Sequence, residues 1–276
     1  MADLSTGIQR HYGGAAIVQR VLAAVADSGH DVSRLTAEML YPYDQFHWRS
    51  LAATRENAAK LNLDASMHLL DVGSGVGGPA RYMACSFGCR VTGIDLTEEF
   101  VAAAQELTER CRLSDKVAFR QGDALAMPFS EASFDAACCL NVAMNINNKA
   151  GLAREIRRIL KPRGRLVWTE ATQGPGGPPH YPLPWARNPD ISFLVSGREL
   201  RSAMEGAGLR IVEWIDETEA TRAAFAQAGR SPQPSASSMI SNQVIMGDDF
   251  AERLNNFGRN VLEERFVPIS AIAERA

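Results

Sequence analysis

The sequence predicts an α/β fold in which a mostly parallel sheet carries helices on both faces. Strand-like and helix-like patterns alternate from residue 67 onward, which is typical of successive β-α-β units. Several strand patterns are continuous apolar runs, as expected where a parallel strand is buried on both faces. The first run passes into a glycine-rich turn and then a helical pattern, which indicates a ligand pocket at the carboxyl end of a first strand.

Residues 1–62 are predicted to form a helical N-terminal cap that precedes a larger domain at 63–276. Ala15–Ala26 has apolar residues at helical spacing, and a second helical pattern covers Ser50–Leu61. Between them, Leu40–Trp48 contains four aromatic residues and a histidine, which is dense for a chain that is only 7% aromatic.

Seven strands are predicted in the larger domain, with helices between them. The helix after the first strand has Pro79 in its first turn, and the next begins at Thr97 with two glutamates in its first turn. Further helices are predicted at Lys149–Leu160 and Arg198–Gly208. The strands are Met67–Val72, Arg90–Ile94, Val117–Arg120, Phe134–Leu140, Arg165–Glu170, Leu209–Ile215 and Arg265–Ala273.

Two segments interrupt this alternation. Gln173–Trp185 is rich in proline and glycine and follows a strand end, so we expect a loop on the ligand-binding face. Residues 217–262 form a mainly helical insertion before the last strand, with a break at 229–234. We expect the insertion to act as a lid.

The composition is that of an ordinary globular protein. The chain has 276 residues, 46% of them hydrophobic and 22% charged, which is enough for one α/β domain with a cap or insertion. A formal net charge of -3 gives no basic footprint for nucleic acid, and no apolar run reaches the ~18 residues of a membrane span. We therefore expect neither a nucleic-acid partner nor a membrane span.

The cysteines indicate a reducing environment and no metal site. They are odd in number, form no C-x-x-C motif, and have no histidine spaced for zinc. Residues 1–5 also lack the basic and apolar regions of a signal peptide, so we expect a cytoplasmic protein. The five are Cys85, Cys89, Cys111, Cys138 and Cys139.

The glycine turn after the first strand suggests two types of ligand. Gly73, Gly75 and Gly77 allow a sharp turn and a close approach of the backbone to a ligand. Gly73, Gly75 and Gly78 also satisfy G-x-G-x-x-G, a weak motif that admits a dinucleotide such as NAD. Asp71 favours S-adenosylmethionine (SAM), because a carboxylate suits the ammonium and sulfonium of SAM better than a pyrophosphate.

Polar residues follow the next three strands at positions that suit the same ligand. Asp95 can accept hydrogen bonds from both ribose hydroxyls. Asp123 can accept from the adenine amino group, while the Ala124 N–H donates to the ring. Asn141 follows the fourth strand. Because the carboxyl ends of parallel strands open onto one crevice, we expect these residues to converge.

In these motifs the sequence resembles the class I SAM-dependent methyltransferases. The resemblance covers about residues 40–215, and the Gly77-Gly78-Pro79 variant is similar to the small-molecule branch. That branch holds the sterol, tocopherol, phosphoethanolamine and glycine/sarcosine/dimethylglycine methyltransferases. The motifs are the segment Leu70–Arg81, Gly93-Ile94-Asp95-Leu96, Gly122-Asp123-Ala124, Phe134-Asp135 and Leu160-Lys161-Pro162-Arg163-Gly164.

The resemblance implies a Rossmann-like sheet of seven strands, the last one antiparallel, with a helical cap over the active site. One departure is Arg163, where the family usually has a second glycine. The cofactor-binding candidates are Gln45, Asp71, Gly73, Ser74, Gly75, Gly77, Asp95, Leu96, Asp123, Ala124 and Asn141.

Three residues are candidates for catalysis, each with a structural alternative. His47 is a candidate general base, although a histidine outside a recognised motif often has a structural role. Asn141 can orient the acceptor or satisfy backbone groups at the strand end. Tyr43, with Gln45, can line the methionine end of SAM or the substrate mouth.

The predicted activity is transfer of a methyl group from SAM to an N, O or C nucleophile of a small molecule, with S-adenosylhomocysteine as the product. The protein contributes mainly proximity and orientation. The alternatives are an NAD-dependent oxidoreductase that uses the same turn and a SAM-binding protein without turnover. A homodimer is left open. The residues after the fourth strand read Asn141-Val142-Ala143-Met144 rather than the Asn-Pro-Pro-Tyr motif of nucleic-acid adenine methyltransferases.

Overall fold

A seven-stranded sheet forms the centre of the computed structural model, which describes residues 16–228 and 242–276. The strand order is β3-β2-β1-β4-β5-β7-β6, and β7 runs antiparallel to β5 and β6 while the other pairs are parallel. The predicted Rossmann-like fold is therefore confirmed. The strands are β1 (His68–Val72), β2 (Arg90–Asp95), β3 (Val117–Gln121), β4 (Phe134–Leu140), β5 (Leu160–Gln173), β6 (Leu209–Asp216) and β7 (Phe266–Arg275).

Helices cover both faces of this sheet in the described residues. Residues of α6 and α7 pack on one face around Leu70 and Trp168, and residues of α3, α4 and α5 pack on the other around Leu69 and Val167. The helices are α1 (Ile17–Asp27), α2 (Ala37–Asp44), α3 (Ser50–Ala59), α4 (Gly78–Phe87), α5 (Glu98–Arg110), α6 (Lys149–Ile159), α7 (Gly197–Gly206), α8 (Thr218–Ala228), α9 (Gln243–Met246) and α10 (Phe250–Leu262).

The strand order reverses between β1 and β4. The chain moves outward from β1 to β2 and β3, then returns to place β4 on the other side of β1. Ligands of open α/β sheets bind outside the carboxyl ends of the strands at such a reversal. The topology therefore places a candidate site beyond Val72 and Leu140.

The cap contains one helix that the sequence pattern did not predict. Helix α2 takes up the first half of the aromatic segment 40–48 and includes Pro42, which removes a helical hydrogen bond. The helix ends two residues later, and the burial of Leu40, Tyr41 and Tyr43 stabilises it against that loss. Tertiary packing thus outweighs a local helix breaker.

Strand β5 is longer than the predicted Arg165–Glu170. Its second half pairs with β7 as far as Gln173 and Phe266, so the predicted loop begins after residue 173. Its first residues form an irregularity against β4, where Arg163 has a φ of 64°. A left-handed φ is the conformation that glycine adopts without strain, which explains the usual glycine at this turn.

The segment before the last strand is helical, as predicted. Helices α8, α9 and α10 precede β7, and the predicted break at 229–234 lies outside the described residues. In the part of the chain that the structure describes, no helix combines the length and apolarity needed to cross a bilayer.

Candidate active site

A crevice opens at the carboxyl ends of β1, β2 and β4. It holds about 1210 Å³ of space free of protein atoms, part of it open to solvent. Its other end is lined by residues 46–48 after α2, by Pro184 and Trp185, and by residues of α9 and α10. Strand-end residues line the first end and include Gly73, Gly75, Ile94, Asp95, Leu96, Gly122, Asp123, Ala124, Leu140 and Asn141.

The glycine turn is packed so tightly that two of its glycines have no room for a side chain. Gly73 has a φ of 69°, and a Cβ there would lie 2.3 Å from a methyl group of Val142. A Cβ at Gly77 would lie 2.4 Å from the ring of Phe119. Gly73 and Gly75 line the crevice, whereas Ser74 and Gly77 support the turn from behind.

Four amides of this turn are already engaged within the protein. Gly73 and Ser74 donate to the Ile94 carbonyl at 2.7 and 3.1 Å, and Gly77 donates to the Ser74 carbonyl at 2.9 Å. Gly75 donates to Asp95 Oδ2 at 2.8 Å. A pyrophosphate would need free N–H groups at this position. These four amides are therefore not available to a phosphate, which counts against a dinucleotide site.

Asp71 lies buried at the end of β1, behind the turn. Cys138 Sγ donates to Asp71 Oδ1 at 3.3 Å, while Asp71 Oδ2 has no hydrogen-bond partner in the protein. Burial raises the pKa of Asp71 to about 7; the bond from Cys138 opposes this rise, and the charge of Asp95 adds to it. A buried, unpartnered carboxylate oxygen is costly alone. Asp71 does not itself line the crevice, so its charge favours a cationic ligand group from behind the turn.

Asp95 ends β2 and is held by two backbone donors. Besides the Gly75 amide, the Thr97 N–H donates to Asp95 Oδ1 at 2.9 Å. Burial raises the pKa of Asp95 against the effect of these bonds. Each carboxylate oxygen keeps a second lone pair, so the fixed carboxylate can accept hydrogen bonds from a vicinal diol. Leu96 lines the crevice beside it.

Asp123 and Ala124 lie at the rim of the crevice. Asp123 is exposed, and its Oδ1 accepts a hydrogen bond from the Leu125 N–H at 2.8 Å, which forms an Asx turn. The Gly122 N–H donates to the Asp95 carbonyl at 2.9 Å and ties this loop to β2. The structure thus brings the residues predicted for the ribose and the adenine to one edge.

Asn141 follows β4 in a left-handed conformation with a φ of 59°, which is uncommon for a residue with a side chain. Its Oδ1 accepts from Thr169 Oγ1 at 3.1 Å, and its Nδ2 donates to the Phe46 carbonyl at 3.5 Å. The amide therefore joins the strand end to the cap where both line the crevice.

His47 lies beside Asn141, and 7% of its surface is exposed. Asn141 Nδ2 lies 3.4 Å from His47 Nδ1, which must act as the acceptor because an amide nitrogen only donates. Burial, with a smaller effect from Arg49, lowers the pKa of His47 to about 4, so the ring is neutral near pH 7. Its proton then sits on Nε2, which has no partner in the protein. This arrangement makes the free nitrogen a hydrogen-bond donor rather than a base.

Tyr43 and Gln45 do not line the crevice, contrary to the sequence-based expectation. The Tyr43 hydroxyl lies 2.6 Å from Ser28 Oγ, on the far side of the cap. Gln45 Nε2 donates to Asp44 Oδ1 at 2.7 Å, and Thr54 Oγ1 donates to Gln45 Oε1 at 2.6 Å. Both polar side chains therefore bond within the cap, to Ser28, Asp44 and Thr54, rather than facing the crevice.

Sequence reasoning missed most of the second end of the crevice. Asn242 and the aromatic residues of α10 come from the insertion, and their side chains carry no local motif. Pro184 and Trp185 belong to the loop expected on this face, so the proline-rich pattern was the available signal. In residues 16–228 and 242–276, no group of three or more His, Cys, Asp or Glu side chains could hold a metal ion.

Comparison with known proteins identifies the domain. Residues 70–168 match the family model described as Methyltransferase domain. Sterol 24-C-methyltransferase ERG6B of Gibberella zeae is 42% identical over 107 residues, which are 39% of this chain and 28% of that protein. O-methyltransferase resE of Aspergillus sclerotiorum is 29% identical over 168 residues, 59% of this chain and 62% of that protein. The chain thus spans less than two thirds of the length of either relative.

The fold has a solved counterpart over nearly the whole chain. Geranyl diphosphate C-methyltransferase from Streptomyces coelicolor A3(2), solved with Mg²⁺, geranyl-S-thiolodiphosphate and S-adenosylhomocysteine, superposes with a TM-score of 0.73. It is 19% identical, and the match covers 99% of this chain and 98% of that chain. Residues 70–168 are thus similar to a methyltransferase domain, and the chain has the fold of the methyltransferase structures that it matches.

Proposed function

We propose that this chain is an enzyme that transfers a methyl group from SAM to a nitrogen, oxygen or carbon nucleophile of a small molecule in the crevice. The observation that carries the proposal is the pair of carboxylates around the glycine turn, buried Asp71 and half-buried Asp95, together with the four amides of that turn that are already engaged. A site of this kind favours a cationic nucleoside over a pyrophosphate.

The strand-end residues fit the parts of SAM. Asp95 would hold the ribose hydroxyls, and Asp123 with the Ala124 N–H would hold the adenine beside Leu96. Asp71 would balance the ammonium through its unpartnered Oδ2. Gly73 and Gly75 would lie against the amino-acid part, while Ser74 and Gly77 keep the turn in shape.

When bound, SAM supplies a methyl group on a sulfonium that departs as the neutral thioether of S-adenosylhomocysteine, the bonding pair staying on sulfur. The chain positions the acceptor lone pair in line with that bond. His47 and Asn141 orient the acceptor, and an acceptor that carries a proton on its attacking atom releases that proton to water. The aromatic residues at the far end provide apolar surface for the acceptor.

The two alternatives differ from this proposal in measurable ways. An NAD-dependent oxidoreductase needs N–H groups for the pyrophosphate, and the engaged amides of Gly73, Ser74, Gly75 and Gly77 count against it. A SAM-binding protein without turnover would share the nucleoside contacts and lack methyl transfer.

The proposal is tested by comparing ligands and then turnover. S-adenosylhomocysteine should raise the melting temperature of the full chain, and NADH at the same concentration should not. The chain should then transfer label from methyl-labelled SAM to one or more members of a pool of phenols, amines and quinones. Stabilisation by NADH alone would overturn the proposal, and SAM binding without transfer to any pool member would favour the binding protein.

We further propose that the cap and the insertion at 217–262 close over the acceptor and that the chain is cytoplasmic and acts on no nucleic acid. All five cysteines are free thiols, which suits a reducing compartment. The net charge of -3 is unsuited to nucleic acid. Whether two copies pair is a separate prediction that a mass measurement in solution tests.

A further inference from the structure

The far end of the crevice, which we term the acceptor end, has an apolar wall. It consists of Trp48, Met144, Trp185, Met246, Phe250 and Phe257. All of these except Met246 are buried, which suits contact with an apolar molecule. The wall comes from four separate segments of the chain, and its composition is independent of the strand-end carboxylates.

No charged side chain of the described residues lines this end. Asp95 and Asp123 are the charged lining residues, and both lie at the nucleoside end. The nearby Arg49 is paired with Glu56 and Glu217 at 2.7 and 3.1 Å. Arg253 is likewise engaged, by Asp249 at 2.8 Å and by the Met246 carbonyl. An anionic acceptor would therefore be desolvated without a counter-charge.

Phe257, one ring of the aromatic wall, has no free face for a cation. Phe257 is stacked against both Trp48 and Phe225, with ring centroids 5.3 and 5.6 Å away. Its faces are therefore engaged by other rings rather than arranged as a cage. A cationic acceptor would also lie beside the sulfonium without a carboxylate of the described residues at its own end.

Two polar atoms at this end have no partner in the protein. His47 Nε2 and Asn242 Oδ1 are buried, and both residues line the crevice. Asn242 Nδ2 donates to the carbonyl of Gln45 at 2.7 Å. This bond holds the Asn242 side chain against the segment that contains His47. One atom is a donor in the tautomer described above, and the other is an acceptor. A hydroxyl group has the acceptor and the donor that these two atoms require, because it donates and accepts at once.

We infer that the methyl acceptor is an uncharged, mainly apolar molecule whose one hydroxyl group meets His47 and Asn242. This inference rests on the proposed function and narrows its substrate class. It assigns the hydroxyl a role in recognition and leaves open which atom receives the methyl group.

The test uses four naphthalene compounds that share one ring system. Binding of 1-naphthol, 1-naphthyl phosphate, 1-naphthylmethylammonium and naphthalene is measured by calorimetry on the chain saturated with S-adenosylhomocysteine. Naphthol should bind at least about tenfold more tightly than each of the other three. Equal or tighter binding of either charged compound, equal binding of naphthalene, or no binding of naphthol would overturn the inference. Failure of S-adenosylhomocysteine itself to bind would instead overturn the proposed function, and this inference with it.

A matched pair of variants tests whether the lack of a charged side chain at the acceptor end causes the preference for naphthol over naphthyl phosphate. Met246→Lys adds a cation to a half-buried position of the wall, whereas Val212→Lys adds one at an exposed position of β6. Met246→Lys should reverse the order of naphthol and naphthyl phosphate, and Val212→Lys should keep it. The same order in both variants would contradict the argument from charge.

Discussion

Asp95 shows how a single residue can be prepared for a ligand by the backbone around it. The N–H groups of Gly75 and Thr97 each hold one of its carboxylate oxygens, so its position is set before any ligand binds. Asp123 is held through one oxygen and is exposed to solvent. We therefore expect Asp95 to contribute more to the affinity for a nucleoside than Asp123.

We expect Asp95→Ala to weaken binding of S-adenosylhomocysteine by roughly 10- to 100-fold, because two charge-assisted hydrogen bonds to ribose are lost. Asp123→Ala is the matched control and should weaken binding several-fold less. Calorimetry gives the affinities, and thermal unfolding checks that both variants fold. Unchanged affinity in folded Asp95→Ala would remove the ribose assignment.

Asp71 should make cofactor binding depend on pH. With its pKa raised to about 7, the carboxyl is largely protonated at pH 5.5 and must lose that proton to pair with an ammonium group. Affinity for S-adenosylhomocysteine should rise with pH through this range, by at most about tenfold per pH unit, and level off above 8. Calorimetry in two buffers with different ionisation enthalpies counts the proton released on binding. In Asp71→Asn the rise of affinity with pH should disappear. A wild-type profile that stays flat would refute this role.

The same raised pKa has an opposite effect on the stability of the free protein. The unfolded carboxyl titrates near 3.8 and the folded one near 7, so the folded state holds more protons between these values. The contribution of Asp71 to stability therefore falls as pH rises from about 4 to about 7. Ligand affinity and stability of the free protein thus change in opposite directions across that range.

His47 should act on the acceptor rather than on the cofactor. We expect His47→Ala to lower kcat/KM for the acceptor by roughly 10- to 100-fold and to leave the affinity for S-adenosylhomocysteine within about threefold. Because the pKa of His47 is lowered to about 4, its ring stays neutral and turnover should show no step from its titration between pH 6 and 8. If turnover does show a step between pH 6 and 8, and this step disappears in His47→Gln, then His47 acts as a general base.

At the scale of elements, a buried ion pair holds the cap helix α2 to α4. Arg81 Nη2 lies 2.9 Å from Asp44 Oδ2, and neither side chain is exposed. Arg81 also donates to the Val76 carbonyl and to Thr108 Oγ1 at 2.7 and 2.9 Å. Burial raises the pKa of Asp44 although the nearby Arg81 lowers it, which means that the desolvation of the pair is costly.

We expect Asp44→Ala to lower the free energy of unfolding by about 3–5 kcal/mol, because it leaves a buried guanidinium without its carboxylate. The double variant Asp44→Leu with Arg81→Met should recover most of that loss. Urea unfolding of the two variants gives the values. A single variant as stable as the wild type would show that Arg81 finds another partner.

Local patterns predicted the elements well, because each of those signals lies within a few residues. The positions of Asp95, Asp123 and Asn141 at one edge of the sheet could be predicted because parallel strands end on that edge, while their roles toward a ligand stay predictions. Tyr43 and Gln45 could not, because Ser28 and Thr54 lie 15 and 9 residues away in the chain. Asn242 bonds a residue 197 positions away, and no short-range pattern indicates such a contact.

At the scale of the whole molecule, the acceptor end is assembled from segments far apart in sequence. The cap contributes Trp48, the loop contributes Trp185, and the insertion contributes Phe257, which contacts both of these rings. Glu217 joins the cap to the insertion by accepting from Trp48 Nε1 at 3.3 Å and pairing with Arg49. Closure of this end therefore depends on cross-links between segments rather than on any one element.

Asn145 is the cross-link that holds the loop over the crevice. Its Nδ2 donates to the Trp185 and Ile191 carbonyls, both at 2.8 Å. Asn145→Leu keeps the volume of the side chain and removes both hydrogen bonds. The loop lines the acceptor end and not the nucleoside end, so its weaker attachment should affect the acceptor alone. We expect KM for the acceptor to rise about tenfold, in proportion to two lost hydrogen bonds of about 0.5–1.5 kcal/mol each.

The same variant separates the two ends of the crevice. Affinity for S-adenosylhomocysteine, measured by calorimetry, should stay within about twofold of the wild type, because Asp95 and the glycine turn make no contact with the loop bonds of Asn145. Asn188→Leu is the control. It removes a hydrogen bond inside the segment between β5 and α7, in which the Asp190 N–H donates to Asn188 Oδ1 at 3.0 Å, and little change in KM is expected. If Asn145→Leu weakened both ligands equally, the crevice would respond as one unit, and its division into a nucleoside end and an acceptor end would fail.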